Sequence, residues 1–218
     1  MPRQFDLLIF DWDGTLMDST AAIAGSIRTA CADLGLPVPS QEEASHIIGL
    51  GLANAIAALL PELPIDDYPR FIERYRYHFL RQDQLLRLFE GVAETIPHLH
   101  KIGHTVTVAT GKNRAGLERA LDASRLRPYF HATRCADESI SKPDPAMILE
   151  LMAAFGVPPQ RTLMIGDTSH DLLMAQNAGV ASVGVGYGAH SAASLRNFSP
   201  LYIADDFVGL SHWLNVHA

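Results

Sequence analysis

Phe5-Asp6-Leu7-Leu8-Ile9-Phe10-Asp11-Trp12-Asp13-Gly14-Thr15-Leu16-Met17-Asp18 is a short apolar run that stops at two aspartates two positions apart, with a glycine directly after them. An apolar and aromatic run bounded by a turn residue reads as a buried strand, so Phe5 to Phe10 is predicted to lie inside a sheet. Asp11 then closes a strand with no solvated face. An unpaired carboxylate there would cost several kcal/mol, on the order given for isolated buried ions, so the segment implies a cation or metal beside it. Ligands of open parallel sheets bind in the crevice outside the carboxyl ends of the strands, and both acids point there.

Working outward, similar runs recur at Thr105 to Ala109, Ala132 to Cys135, Thr162 to Ile165 and Ala181 to Val185. Amphipathic stretches separate them: Val92 to Lys101, Arg114 to Leu121, Pro145 to Phe155 and Asp171 to Ala178. Such alternation predicts an α/β fold, a doubly wound parallel sheet with right-handed crossovers and helices on both faces. One region breaks the pattern, because its periodicity is helical throughout. Helices are expected there at Thr20 to Leu34 (closed by Gly35), Ser40 to Ile47 (Ser40 and Glu43 at capping-box spacing), Leu52 to Leu60 and Pro69 to Arg81. The expected organisation is a core of residues 1–17 and 87–218 and an inserted helical cap of residues 18–86, hanging over the carboxyl end of the first strand. Asp18 is expected to cap the first cap helix, and Pro61 to Pro69 and Gly186 to Ser191 are the clearest loops.

Three further segments follow strands or lie beside them. Thr110-Gly111-Lys112 offers a hydroxyl and backbone N–H groups suited to phosphate oxygens. Ser141-Lys142-Pro143-Asp144-Pro145 sets one lysine in a proline-fixed loop before a helix. Gly166-Asp167-Thr168-Ser169-His170-Asp171 carries two carboxylates four apart, and carboxylate oxygens are the ligands a hard cation such as magnesium prefers. With the Asp11 segment these resemble, in order, the four motifs of the haloacid dehalogenase superfamily, and the insertion resembles the helical cap of its phosphoglycolate-phosphatase-like branch, on a Rossmann-like core. The resemblance covers nearly the whole chain. It implies that Asp11 is a nucleophile that forms an aspartyl phosphate, and that Asp13 is the general acid and then base, its carbonyl on the metal. It also implies that Thr110 and the Gly111 amide hold phosphate oxygens, that Lys142 neutralises phosphate and Asp11, that Asp167 ligates Mg2+, and that Asp171 bonds its water shell. A larger residue, Trp12, stands where the family usually has a smaller apolar one. Gly49 and Gly51 are expected to let the cap loop approach substrate closely, with cap residues such as Arg74 or Arg81 assisting. His170 is read as a loop residue, despite its place between two acids.

Composition fits this reading. The 218 residues are 48% hydrophobic, enough for a core, and carry a formal net charge of −7 without a dense basic cluster, which argues against a nucleic-acid partner. Cys31 and Cys135 lack ligand or disulfide spacing and are expected to be free thiols. No signal-peptide layout or long apolar stretch is present, so no membrane association is expected, and the chain is taken as a cytoplasmic monomer or homodimer. The expected partner is a small phosphorylated metabolite, phosphoglycolate by default, with pyrophosphate, a nucleotide or a sugar phosphate as alternatives. A dehalogenase would have no use for Asp13, Asp167 and Asp171 together, a phosphosugar mutase would carry an arginine in the Ile48-Gly49-Leu50-Gly51-Leu52 loop, and a retired scaffold would have no reason to keep the full acid and lysine set.

Overall fold

Leu7, Leu8, Ile9 and Phe10 are all completely buried, as a strand covered on both faces requires. A computed structural model describes residues 4–218. In it β1 (Leu7–Phe10) is a central strand of a six-stranded sheet whose paired strands all run parallel. The chain continues through β2 (Met17–Asp18), helices α1 (Thr20–Asp33), α2 (Gln41–His46), α3 (Leu52–Leu59) and α4 (Tyr68–Asp83), and β3 (Arg87–Leu88). Then α5 (Val92–Lys101), β4 (Thr105–Thr110), α6 (Arg114–Ser124), β5 (Ala132–Cys135), α7 (Ala146–Phe155), β6 (Thr162–Gly166), α8 (Ser169–Ala178), β7 (Ala181–Val185), α9 (Ala192–Leu195), β8 (Tyr202–Ala204) and α10 (Phe207–His217) complete it.

The sheet order is β5-β4-β1-β6-β7-β8. From β1 the chain builds outward through β4 and β5, then crosses back to β6 on the other side of β1. The crevice of a doubly wound sheet opens where the winding reverses in this way. Here that is the carboxyl end of β1 and its two neighbours. Alternation along β1 divides the core between faces. Leu8 and Phe10 join Val92, Ile96, Leu117 and Leu210 on one side, while Leu7 and Ile9 join Met147, Leu151, Met164 and Met174 on the other.

The helical insertion buries its own cluster, including Ile23, Ile27, Ile47, Ile56, Phe71 and Phe79, separate from the two sheet faces. Its entry and exit strands pair antiparallel, Met17 with Leu88 and Asp18 with Arg87. The expected Ser40 and Glu43 capping box is present. Asp18 does not cap α1: it lies in β2, and Ser19 holds the N-cap position with its side chain directed elsewhere.

Candidate active site

Strand β1 delivers Asp11 to the crevice, where its carboxylate is 1% exposed. The loop before α7 delivers Lys142, itself fully buried, with Nζ 2.6 Å from Asp11 Oδ1 and 2.7 Å from Asp171 Oδ1. Strand β6 ends at Gly166, which places Asp167 beside Asp11. Carboxylate oxygens of Asp11, Asp167 and Asp171 all lie within 4.8 Å of one another. Asp171 is fixed as the third residue of α8, where its Oδ2 accepts from Thr168 N and Oγ1 at 3.0 and 2.7 Å. Asp167 accepts from Thr15 Oγ1 at 3.0 Å and from the Ala189 amide at 2.7 Å. The backbone is packed so tightly here that a Cβ on Gly166 would meet Asp171 at 2.4 Å, and one on Gly14 would meet Asp167 Oδ2 at 2.1 Å.

Three buried carboxylates against one ammonium leave negative charge in excess. Burial, reinforced by the Asp171 and Asp13 charges and opposed by Lys142, pushes the Asp11 carboxyl up to about 7. Asp167 rises well above the usual carboxylate range for the same reasons, burial first and then the Asp11 and Asp171 charges. Asp11 Oδ2 has no hydrogen-bond partner among the described residues. An orphaned anionic oxygen within a cluster of hard oxygen donors fits a divalent cation of the magnesium class. The residues present therefore suit the metal that the sequence implied.

Asp13 sits at the next turn of chain, and two groups address the same oxygen: Ser19 Oγ donates to Oδ1 at 2.6 Å, and Lys112 Nζ lies 3.0 Å from it. The Lys112 ammonium also stands 5.0 Å from the Phe79 ring centre on α4. Thr110, at the end of β4, is buried with its hydroxyl accepting from the Lys112 amide at 3.2 Å. The insertion closes over all of this. A Cβ on Gly111 would lie 2.5 Å from the Leu50 carbonyl oxygen and 2.6 Å from that of Gly49, so the loop before α3 rests directly on it. Gly49 itself has φ +94°, in the left-handed region that glycine alone enters freely. Gly51 N donates to Ser141 Oγ at 2.7 Å, and the His46 carbonyl accepts from His170 Nε2 at 2.9 Å and His190 Nε2 at 3.0 Å. A cavity of about 520 Å³ remains between the layers, lined by Asp11, Asp13, Gly49, Thr110, Gly111 and Lys112 among others.

A family model described as haloacid dehalogenase-like hydrolase matches residues 8–185. The chain belongs to that family. Among its relatives is the probable phosphatase IndB of Dickeya dadantii (strain 3937), 37% identical over 217 residues, spanning 95% of this chain and 94% of that protein. A phosphoglycolate phosphatase of Agrobacterium fabrum is 34% identical over 214 residues, spanning 94% and 90% of the two. The crystal structure of a predicted phosphoglycolate phosphatase from Haemophilus somnus 129pt superposes with a TM-score of 0.85 at 28% identity, over 96% of this chain and 98% of that one.

Eight of the residues singled out in the sequence of this haloacid dehalogenase-like hydrolase converge: Asp11, Asp13, Gly49, Thr110, Gly111, Lys142, Asp167 and Asp171 surround one crevice. His170 differs from expectation, since Thr168 caps α8 and draws His170 into the first helical turn, bonded to the cap. Arg74 and Arg81 are turned away, to Asp33 and the Tyr77 hydroxyl. Sequence reading also missed Lys112 and Ser19, the two groups on Asp13. Lys112 stands in the Thr110-Gly111-Lys112 segment at the end of β4, and a lysine next to a strand end that faces paired acids was the available signal.

Proposed function

We propose that this hydrolase is a magnesium-dependent phosphatase that cleaves small phosphomonoesters through an aspartyl phosphate on Asp11. The single observation that carries the reading is the free Oδ2 of Asp11, held at the floor of a capped cavity while Lys142 fixes the other oxygen. One oxygen restrained and one available is what an in-line attack on phosphorus needs from a nucleophile. Lys142, the Thr110 hydroxyl and the Gly111 amide meet the phosphoryl oxygens and spread the charge of a loose transition state. Asp13 gives its proton to the leaving oxygen, then takes one from the water that opens the acyl phosphate. Both groups on Asp13 address Oδ1, so Oδ2 is the oxygen available for that exchange. Asp11, Asp167 and the Asp13 carbonyl would hold magnesium, with Asp171, already engaged by Lys142 and Thr168, acting outside them. Bound there, the metal neutralises the carboxylates and lets an anionic phosphate approach an anionic nucleophile.

The helical insertion, residues 18–86, serves in this reading as a lid that excludes water during phosphoryl transfer. Phosphoglycolate is the proposed default substrate, on the likeness to relatives so named. A cytoplasmic location accompanies the reading, in keeping with Cys31 and Cys135 as buried free thiols. Among the described residues no helix is long and apolar enough to cross a membrane.

Release of phosphate from p-nitrophenyl phosphate with and without magnesium tests the reading directly. Activity should vanish in excess chelator, and full activity there would refute it. In the chelated protein, the stability of the parent relative to Asp11→Asn should fall as pH rises from about 4 to about 7, as linkage requires of a carboxylate whose folded pKa is raised. The sign follows from Asp11: its folded value near 7 exceeds the ordinary 3.8, so the native state keeps a proton that it must give up as pH climbs. Thermal melts across that range should show the fall, and a flat or rising profile would contradict it.

Asp13→Asn should slow an alkyl phosphate, whose alkoxide leaves poorly, by about 10²- to 10⁴-fold, and p-nitrophenyl phosphate less. Equal losses on the two substrates would remove Asp13 from the acid role.

A further inference from the structure

Three cationic side chains line the cavity above Asp11 and Asp13: Arg76, Lys112 and Arg119. Two are engaged. Lys112 pairs with Asp13 at 3.0 Å, and Arg119 reaches Asp83 at 3.4 Å and the Ala115 carbonyl at 3.0 Å. The Arg76 guanidinium has neither a carboxylate nor a hydrogen-bond partner among the described residues, whereas its neighbours Arg74 and Arg81 on α4 are both satisfied.

Its place on the helix gives the spare cation a meaning. Arg76 precedes Phe79 by three residues, so the two share a face of α4 about one turn, roughly 5.4 Å, apart. Phe79 underlies the Lys112 ammonium, which in turn holds Asp13, so this face stands over the proposed general acid. On the proposed roles, the leaving alkoxide takes its proton from Asp13 within the cavity that Arg76 also lines. Much of the surrounding wall is apolar, with Ile23, Ile27, Ile48 and Ile72, and among the described residues that line it no other free cation is offered to an anion. Tyr75 lines the same wall and presents a phenol O–H there, its pKa raised by burial.

We propose that Arg76 is a specificity-determining residue that binds a carboxylate carried by the leaving alcohol, so that the substrate class is phosphorylated hydroxy acids. This rests on the phosphatase reading above. The planar guanidinium fork matches a carboxylate in two parallel hydrogen bonds, a geometry lysine reproduces only as a point charge.

The experiment compares kcat/KM for phosphoglycolate and ethyl phosphate in the magnesium-loaded parent, Arg76→Gln and Arg76→Lys. The parent should prefer phosphoglycolate, Arg76→Gln should reduce the preference ratio about 10- to 100-fold, the usual range for a charged hydrogen-bond pair, and Arg76→Lys should restore part of it. A ratio that changes less than about threefold in Arg76→Gln overturns the assignment, as does an equal loss on both esters. If the parent hydrolyses neither ester nor p-nitrophenyl phosphate, the phosphatase reading fails by itself. Arg76 is then judged by the thermal shift that each ester induces in Asp11→Asn with and without Arg76→Gln: a phosphoglycolate-specific loss supports it, and equal shifts overturn it.

Discussion

Asp11→Asn is expected to abolish turnover, with kcat down by at least about 10⁴-fold, on the scale seen when other enzymes lose their nucleophile. The amide is nearly isosteric with the carboxylate but has no anionic oxygen to attack phosphorus. The fold should survive, because Lys142 retains Asp171 as a partner at 2.7 Å and the change removes one of three crowded negative charges. Circular dichroism should match the parent, and the metal-free variant should melt no lower. Activity within tenfold of the parent, on a matched fold, would end the assignment of Asp11.

Lys142→Met is expected to damage both stability and catalysis. Lys142 is fully buried and touches Asp11 and Asp171. Burial pulls its pKa down, but the two carboxylates outweigh that and hold it above the ordinary lysine value. Replacing it with an apolar chain of similar length leaves Asp11, Asp167 and Asp171 with no cation in contact. Breaking a buried pair in this manner costs about 3–5 kcal/mol. On the proposed role of Lys142, loss of its charge beside the transferring phosphoryl group adds a fall in kcat of about 10²- to 10³-fold. Denaturant titration in chelator reads the first effect and steady-state kinetics the second. A stability change below about 1 kcal/mol, with kcat unaltered, would show that Lys142 merely fills space.

Much of this site was legible in the sequence because its residues terminate strands. An apolar run that stops at Asp11 or at Gly166-Asp167 marks both a strand and its carboxyl end, and the doubly wound order brings those ends together regardless of the intervening length. What stayed hidden depends on tertiary direction. Arg74, Arg76 and Arg81 occupy one helix with similar chemistry, and only the positions of Asp33 and Tyr77 reveal which of them is free to face the cavity. Ser19 likewise could have capped α1, yet Asp13 outcompetes the helix for its hydroxyl. Strands β2, β3 and β8 escaped notice for a simpler reason: two or three residues are too few to show a period.

The two acids of the first strand differ in what supports them. Asp11 is held wholly from the sheet side, by Lys142. Asp13 is held by Ser19, at the junction where the helical layer begins, and by Lys112, which leans on Phe79 of that layer. On the proposed roles, a shift of the helices would spoil proton transfer while leaving the phosphate acceptor intact. Hydrolysis of the aspartyl phosphate would then be slow whenever the layers part, so the lifetime of the phosphorylated enzyme becomes a clock set by the helical layer, and the chain would retain its phosphoryl group between closures.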